Sequence, residues 1–306
     1  MSLTAAATPK KAGKKLSARD WGCLALMILP LLCAMAMKIC FTPAKEGVVI
    51  EGALVYAKIP MPFQELLITE SEINSWAVML FILGLCLFLT RDLSVREPGV
   101  RQRIAEWLVE KCQGLVGENM GAFFRFATPF IAAILALSAF SSLSSLLGLY
   151  APTSDLNVVA GWALLVAVTI TVAKAWCGPR AYIGTFTSQG PVMTVLNVIS
   201  EFATPVSMAF RHYGNVMSGA VIGVLVSAAL TGLTQLLLGW LPGVFGTIPF
   251  LRIGLPAILS IYFDIFSGAI QAYIFAMLTM LYVGGGFPEE EYIARHSAAA
   301  ARKAAA

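Results

Sequence analysis

Residues 192–241 form one almost uninterrupted apolar stretch, and near its middle stands an arginine, Arg211, in "MAFRHYGNVMSG" (208–219). At 1.5 Å per residue, a helix over 192–238 is about 70 Å long, more than twice the ~30 Å hydrocarbon core of a bilayer. It must either break or lie strongly tilted in a membrane. Pro205 can bend such a helix without ending it, because neighbouring groups satisfy the freed carbonyl. A steep tilt requires something beside the helix to run along.

The rest of the chain sets the class. Of 306 residues, 58% are hydrophobic and 12% charged, against about 25% charged in soluble domains. Several further segments reach the ~18 apolar residues of a bilayer crossing. The chain is therefore read as an all-α polytopic membrane protein. The net charge of +4 says little by itself, since it sums both sides of a membrane. The six cysteines are scattered and form no C-x-x-C pair, and two histidines are too few for a histidine-based metal site. No metal, cofactor or nucleic-acid partner is expected.

Charge distribution orients the crossings. Residues 1–20, with Lys10, Lys11, Lys14, Lys15 and Arg19, read as a basic cytoplasmic tail. The apolar run 21–37 is either an extra membrane helix spanning 21–41 or a signal peptide cut near the A-x-A at Ala34–Ala36. Trp21 and Lys38 would frame a retained helix, and with no polar stripe it belongs at the periphery. Residues 42–73 read as an outer-side segment, since 42–72 hold five glutamates against two lysines. "NSWAVMLFILGLCLFLT" (74–90) returns the chain inward to a cluster of Arg91, Arg96, Arg101, Arg103 and Lys111. There Ile104, Trp107, Leu108, Cys112, Leu115 and Val116 recur at spacings of three and four. They mark an amphipathic helix in the cytoplasmic interface or a soluble helix packed on a partner. Residues 126–150 cross outward and 158–173 cross back. Two longer stretches, 192–241 and 249–284, complete about six membrane helices, the last two forming a long tilted hairpin. Residues 285–306 form a tail, and both termini are expected in the cytoplasm.

Polar residues of the long helix are ordered. Asn197, Ser200, Thr204, Ser207, Arg211, Asn215 and Ser218 follow at spacings of three and four, which makes one helical stripe. The final helix has a second: Ala257, Ser260, Asp264, Ser267, Gly268 and Gln271. Taken singly, the serines and glycines also fit plain helix packing. A charge at the bilayer centre costs about 2.5–3.5 kcal/mol on insertion scales, so Arg211 and Asp264 point to function. An ion pair between them would lower that cost, although such pairs are often replaceable by apolar groups.

These residues resemble a family. "PVSMAFRHYGNVMSG" (205–219) is similar to the "PVSL-x-L-R-L-F-G-N-x-x-x-G" helix of subunit a of F-type ATP synthases. "QAYIFAMLTMLYV" (271–283) resembles the end of that subunit, and "APTSDLNV" (151–158) its outer loop. "LITESEINSW" (67–76) and "VGENMG" (116–121) fit bacterial versions. The likeness runs from about residue 60 to 284.

It implies a non-catalytic ion-channel subunit in a bacterial plasma membrane, with 74–284 as the translocating domain. The implied partners are a c-subunit ring and peripheral stalk b subunits. Ions, protons or sodium, would pass through two offset half-channels. Arg211 would be the essential arginine facing the ring carboxylate, with Asn215 and Gln271 as its neighbours. Asp264 would line the outer half-channel, Asn197 and Ser200 the inner one, and Asp155 and Asn157 the outer mouth. Ser207, Ser218, Ser260 and Ser267 complete the expected path.

Some positions depart from the pattern. His212 and Tyr213 replace Leu-Phe, and Ala220 stands where many relatives have an ionisable residue or Gly. Asn197 replaces a frequent Glu, and Ser142 and Ser145 stand where some relatives have Asn and Asp. An ion-coupled secondary transporter is the alternative, but it would show internal pseudo-symmetry, which is not evident. An intramembrane protease would need paired aspartates or a Ser–His dyad with its motif, and neither is apparent.

Overall fold

The structure, a computed structural model, describes residues 17–42, 52–62, 65–95, 98–176, 183–184, 186–187, 190–238, 254–255, 258–259 and 261–285. Both terminal tails lie outside these residues, as do Ala257 and Ser260 of the second stripe. Six helices are long and apolar enough to cross a membrane: 18–41, 70–89, 123–147, 156–175, 191–237 and 261–285.

Helix α1 (Ala18–Phe41) holds Pro30 inside its span. A two-stranded antiparallel hairpin follows, β1 (Val55–Ile59) and β2 (Leu66–Thr69). Sequence reasoning assigned 42–73 a side of the membrane but no structure, so this hairpin was missed. β2 runs directly into α2 (Glu70–Leu89).

Helix α3 (Val100–Met120) is divided between two environments. Ile104, Trp107 and Leu108 are exposed, while Val116 and Met120 are buried in the core. Its first half therefore presents the apolar face an interfacial helix needs, and its last turns belong to the bundle.

Helices α4 (Thr128–Leu143) and α5 (Leu156–Trp176) come next, with 3-10 turns at Ala122–Ala127, Ser144–Leu147 and Pro152–Ser154. Helix α6 is a single 48-residue element, Pro191–Leu238, with Pro205 inside it. Of the two options open from its length, breaking is excluded. The last element begins as a π-helical segment, Ile261–Ser267, and continues as α7 (Gly268–Gly285).

The core lies where α3, α4, α5, α6 and α7 meet, around Ile131, Val159, Val166, Met208, Phe275 and Met280. Side chains from each helix interdigitate there, so the bundle holds one side of α6. Among the described residues the other side of α6 is left uncovered around Phe210 and Arg211.

Helix α1 packs along α2 and is tied at both ends. Asp20 accepts from Arg91 at 2.9 Å and Arg101 at 2.8 Å. At the other end Lys38 pairs with Glu70 at 3.2 Å and donates to the Gly148 carbonyl at 2.8 Å. Between these ties the helices touch closely: a Cβ on Gly84 would lie 2.7 Å from Met27 Cγ and 3.2 Å from the Cys23 carbonyl oxygen.

Gly84→Leu should therefore push α1 off α2, at a cost of about 1–3 kcal/mol for overpacking. Cysteines placed at Ala34 and Ala77, which share an apolar cluster, report the separation. The oxidised crosslink should form in the parent and fall several-fold in the variant.

Candidate functional site: an exposed arginine face and two polar clefts

The placement of Arg211 follows from where α6 is held. Met208, Ala209 and His212 are buried against the bundle, whereas Phe210 and Arg211 are exposed. Successive residues of an α-helix are about 100° apart, so burying 208, 209 and 212 leaves 211 on the outward side. Among the described residues no ion pair or hydrogen bond engages its guanidinium, and none links it to Asp264. The alternative of an Arg211–Asp264 ion pair is thus not what this chain adopts.

The stripe around Arg211 is a surface feature only in part. Ser200, Ser207 and Ser218 are exposed, and Asn197, Thr204 and Asn215 are half-buried. Several of its hydroxyls are used locally: Thr204 donates to the Ser200 carbonyl at 2.8 Å, and Ser218 to that of Asn215 at 3.0 Å.

Asn215 is the tie between the two stripes. Ser267 Oγ donates to Asn215 Oδ1 at 2.9 Å, and Asn215 Nδ2 donates to the Ser267 carbonyl at 3.4 Å. One turn along, a Cβ on Gly219 would lie 2.9 Å from the Phe263 ring. These contacts hold the π segment against α6. A π turn contains an extra residue, so side chains within it are re-aimed relative to an α-helix. The second stripe, read on an α-helical wheel that puts Asp264 and Gln271 on one face, is corrected accordingly.

Asp264 is half-buried, and its carboxylate lies beside the Ser145 side chain. The Ser145 hydroxyl reaches the Ser142 carbonyl at 2.7 Å. Gly268 packs against Ser142, where a Cβ would come 2.8 Å from Ser142 Cβ. Gln271 is buried in the bundle, and among the described residues no hydrogen bond joins it to Arg211.

On the side of the predicted inner half-channel, α5, α6 and α7 enclose a cleft of about 320 Å³. Asn197, Ser200, Thr204 and Tyr282 line it, so the two expected inner residues do share a cavity. It also contains an ion pair that sequence reasoning missed, Lys174 to Glu201 at 2.6 Å. Glu201 stands one turn beyond Asn197, a spacing that could have singled it out.

At the predicted outer mouth, Asp155 and Asn157 line a cleft of about 630 Å³ together with Glu65 and Glu72. Asp155 accepts a hydrogen bond from Ser71 and caps the start of α5 through the Asn157 amide at 2.9 Å. Asn74 donates to the Tyr150 carbonyl at 2.8 Å, and Glu70 accepts from the Tyr150 amide at 3.2 Å. The acids of α2 were not singled out from sequence, and their spacing carried no stripe. Among the described residues no three His, Cys, Asp or Glu converge to hold a metal ion.

An α-helical multi-pass membrane protein whose long helix presents an arginine with no ion-pair partner among the described residues, and which also holds two polar clefts, one along α5 and α6 and one beside Asp155, is built to act on ions with a partner. The ATP synthase A chain family model matches residues 73–284, and the chain belongs to that family. It is 29% identical over 244 residues to the sodium-ion-specific ATP synthase subunit a of Propionigenium modestum, covering 74% of this chain and 76% of that one. Subunit a of Desulforamulus reducens is 32% identical over 217 residues, 70% of this chain and 78% of the relative. Subunit a of Bacillus subtilis is 30% identical over 216 residues, 66% and 85%. The protein is thus a membrane component of an ATP synthase, assembles with its other subunits, and serves ion translocation.

Gly219→Val tests the coupling between stripes. The added methyls must displace Phe263, and with it the π segment carrying Asp264. ATP-driven ion uptake by vesicles should fall severely while the complex still assembles. Uptake at the parent rate would show that this contact does not position the path.

Proposed function

We propose that this chain is the non-catalytic ion-channel subunit of a rotary F-type ATP synthase, guiding ions through two offset half-channels to a c-subunit ring. The observation that carries the reading is the open face of α6, where Arg211 is exposed and has no ion-pair partner among the described residues. An arginine in an apolar face requires an anionic partner. A ring carboxylate at 4 Å attracts it by roughly 4 kcal/mol at an effective dielectric near 20. That is enough to favour the ionised carboxylate and weak enough for exchange with the next ring site.

Because a guanidinium stays protonated, Arg211 also blocks a direct leak between the half-channels. The outer route runs from the mouth at Asp155 and Asn157 toward Asp264, with Ser267 on the same element and Ser260 four residues before Asp264 in the sequence. The inner route uses the cleft of Asn197 and Ser200, where the Lys174–Glu201 pair supplies fixed charges beside the path. Ser207, Asn215 and Ser218 flank the arginine along the ring-facing side, and Gln271 lies buried in the bundle on α7. Residues 74–284 form the translocating domain. Helix α1 is retained as a peripheral element facing lipid or the peripheral stalk b subunits. The complex works in a bacterial plasma membrane with both termini of this subunit in the cytoplasm.

Arg211→Ala should abolish ATP-driven uptake and ATP synthesis while leaving the complex assembled. Arg211→Lys should fail as well, because a compact ammonium is more strongly hydrated and can exchange its proton. Normal pumping by either assembled variant would refute the role.

A further inference from the structure

We propose that His212 is a further residue of the ion path, standing at the deep end of a buried hydroxyl seam that begins at Asp264. This rests on the ion-translocation reading of the Arg211 face.

The seam runs along α4. Ser138, Ser141, Ser142 and Ser145 recur at short helical spacings, and the first three are buried. Asp264 lies beside Ser145, and Gly268 seats against Ser142. Deeper along the row, Ser138 Oγ lies 3.3 Å from His212 Nε2. The imidazole is 0% exposed and meets the edges of Trp162 at 6.1 Å and Phe275 at 5.4 Å between ring centroids. Helices α4, α6 and α7, with the π segment, thus bring a carboxylate and an imidazole to opposite ends of one row of hydroxyls.

Packing alone would not build the row this way. Among the described residues, Ser141 Oγ, Ser142 Oγ and His212 Nδ1 are buried and find no protein hydrogen-bond partner. Buried polar atoms are nearly always paired, and each left unmade costs about 1–3 kcal/mol. Three such atoms in one seam are what a short file of bound water would satisfy. A leucine at 212, as in the family pattern, would leave one fewer and fill the same space. The charged and titratable groups around the imidazole are few. Serine, tryptophan and phenylalanine face it from α4, α5 and α7. On α6 itself, Arg211 points outward and Tyr213 follows. Asp264 lies at the far end.

A chain of hydroxyls, water and imidazole carries protons one at a time. Asp264 takes a proton and becomes the neutral acid. Each hydroxyl or water along the row accepts one proton on its oxygen and releases its own. His212 accepts at the ring nitrogen that lacks hydrogen and gives up the proton on the other. Asp264 releases its proton into the row and is ionised again, and the final acceptor is the rotor carboxylate that Arg211 faces; His212 ends neutral in its other tautomer and must turn over before the next transfer. Sodium has no such route, since imidazole is a poor ligand for hard cations that favour carboxylate, carbonyl and water oxygens.

The test uses the whole synthase in inverted vesicles, following ATP-driven acidification against pH in ordinary and heavy water, with co-purified c subunits as the assembly check. His212→Phe keeps the ring but loses both nitrogens, and the rate should fall about 10²-fold, the lower end for a positioned acid–base group. His212→Gln and Ser138→Ala should also slow pumping, and both should flatten the pH profile and reduce the solvent isotope effect. Parent rates and profile in His212→Gln would overturn the proposal. So would slowing with an unchanged pH profile, which marks a structural role only, or sodium uptake that persists with an uncoupler. If His212→Phe fails to assemble, His212→Gln decides. An inactive Arg211→Ala beside a normal His212→Gln sinks this inference alone, whereas a normal Arg211→Ala sinks the parent reading.

Discussion

A guanidinium that cannot discharge, on an apolar helix face that the described residues leave uncovered, is the constraint from which the rest of the architecture follows. Its cost in a bilayer is met only by a partner carrying negative charge. A partner within this chain would quench it, and among the described residues none is offered. The attraction is thereby kept for something outside, and an electrostatic contact with a moving neighbour is the natural use of such a residue.

Keeping the face open requires the opposite side of α6 to be fixed. Met208, Ala209 and His212 are buried in the bundle, and Asn215 and Gly219 lock the π segment beside them. The long unbroken helix therefore acts as a rail whose rotation about its own axis is set by side-chain packing. Slippage by one residue would turn the helix by about 100° and, depending on its direction, either bury Arg211 or bring His212 to the exposed face. The small residues at the contacts, Gly219, Gly268 and the α4 serines, let the backbones approach closely enough to prevent that.

Much of this was legible in the sequence because it is periodic. Seven polar residues at spacings of three and four define the α6 stripe on a helical wheel, and six apolar segments define the crossings. What was not legible depends on relations between elements. The π turn at Asp264 changes which residues share a face, and an α-helical wheel has no means of showing it. Lys174 and Glu201 lie on different helices, 27 residues apart, and each alone reads as an ordinary charge. His212 looked like a substitution in a motif, and only its burial against Ser138, Trp162 and Phe275 gives it a place. The hairpin of 55–69 escaped because its strands are short and their burial does not alternate cleanly.

The orientation of α6 toward a ring is the claim on which everything else stands, and cysteine crosslinking in the intact complex measures it. Single cysteines at Ser207 and Ser218, on the exposed face with Arg211, are paired with a cysteine beside the mid-membrane carboxylate of the c subunit. Both should crosslink to c under mild oxidation, and a cysteine at buried Met208 should not. Crosslinks from position 208 with none from 207 or 218 would mean that Arg211 faces away from the ring, and the mechanism would fail.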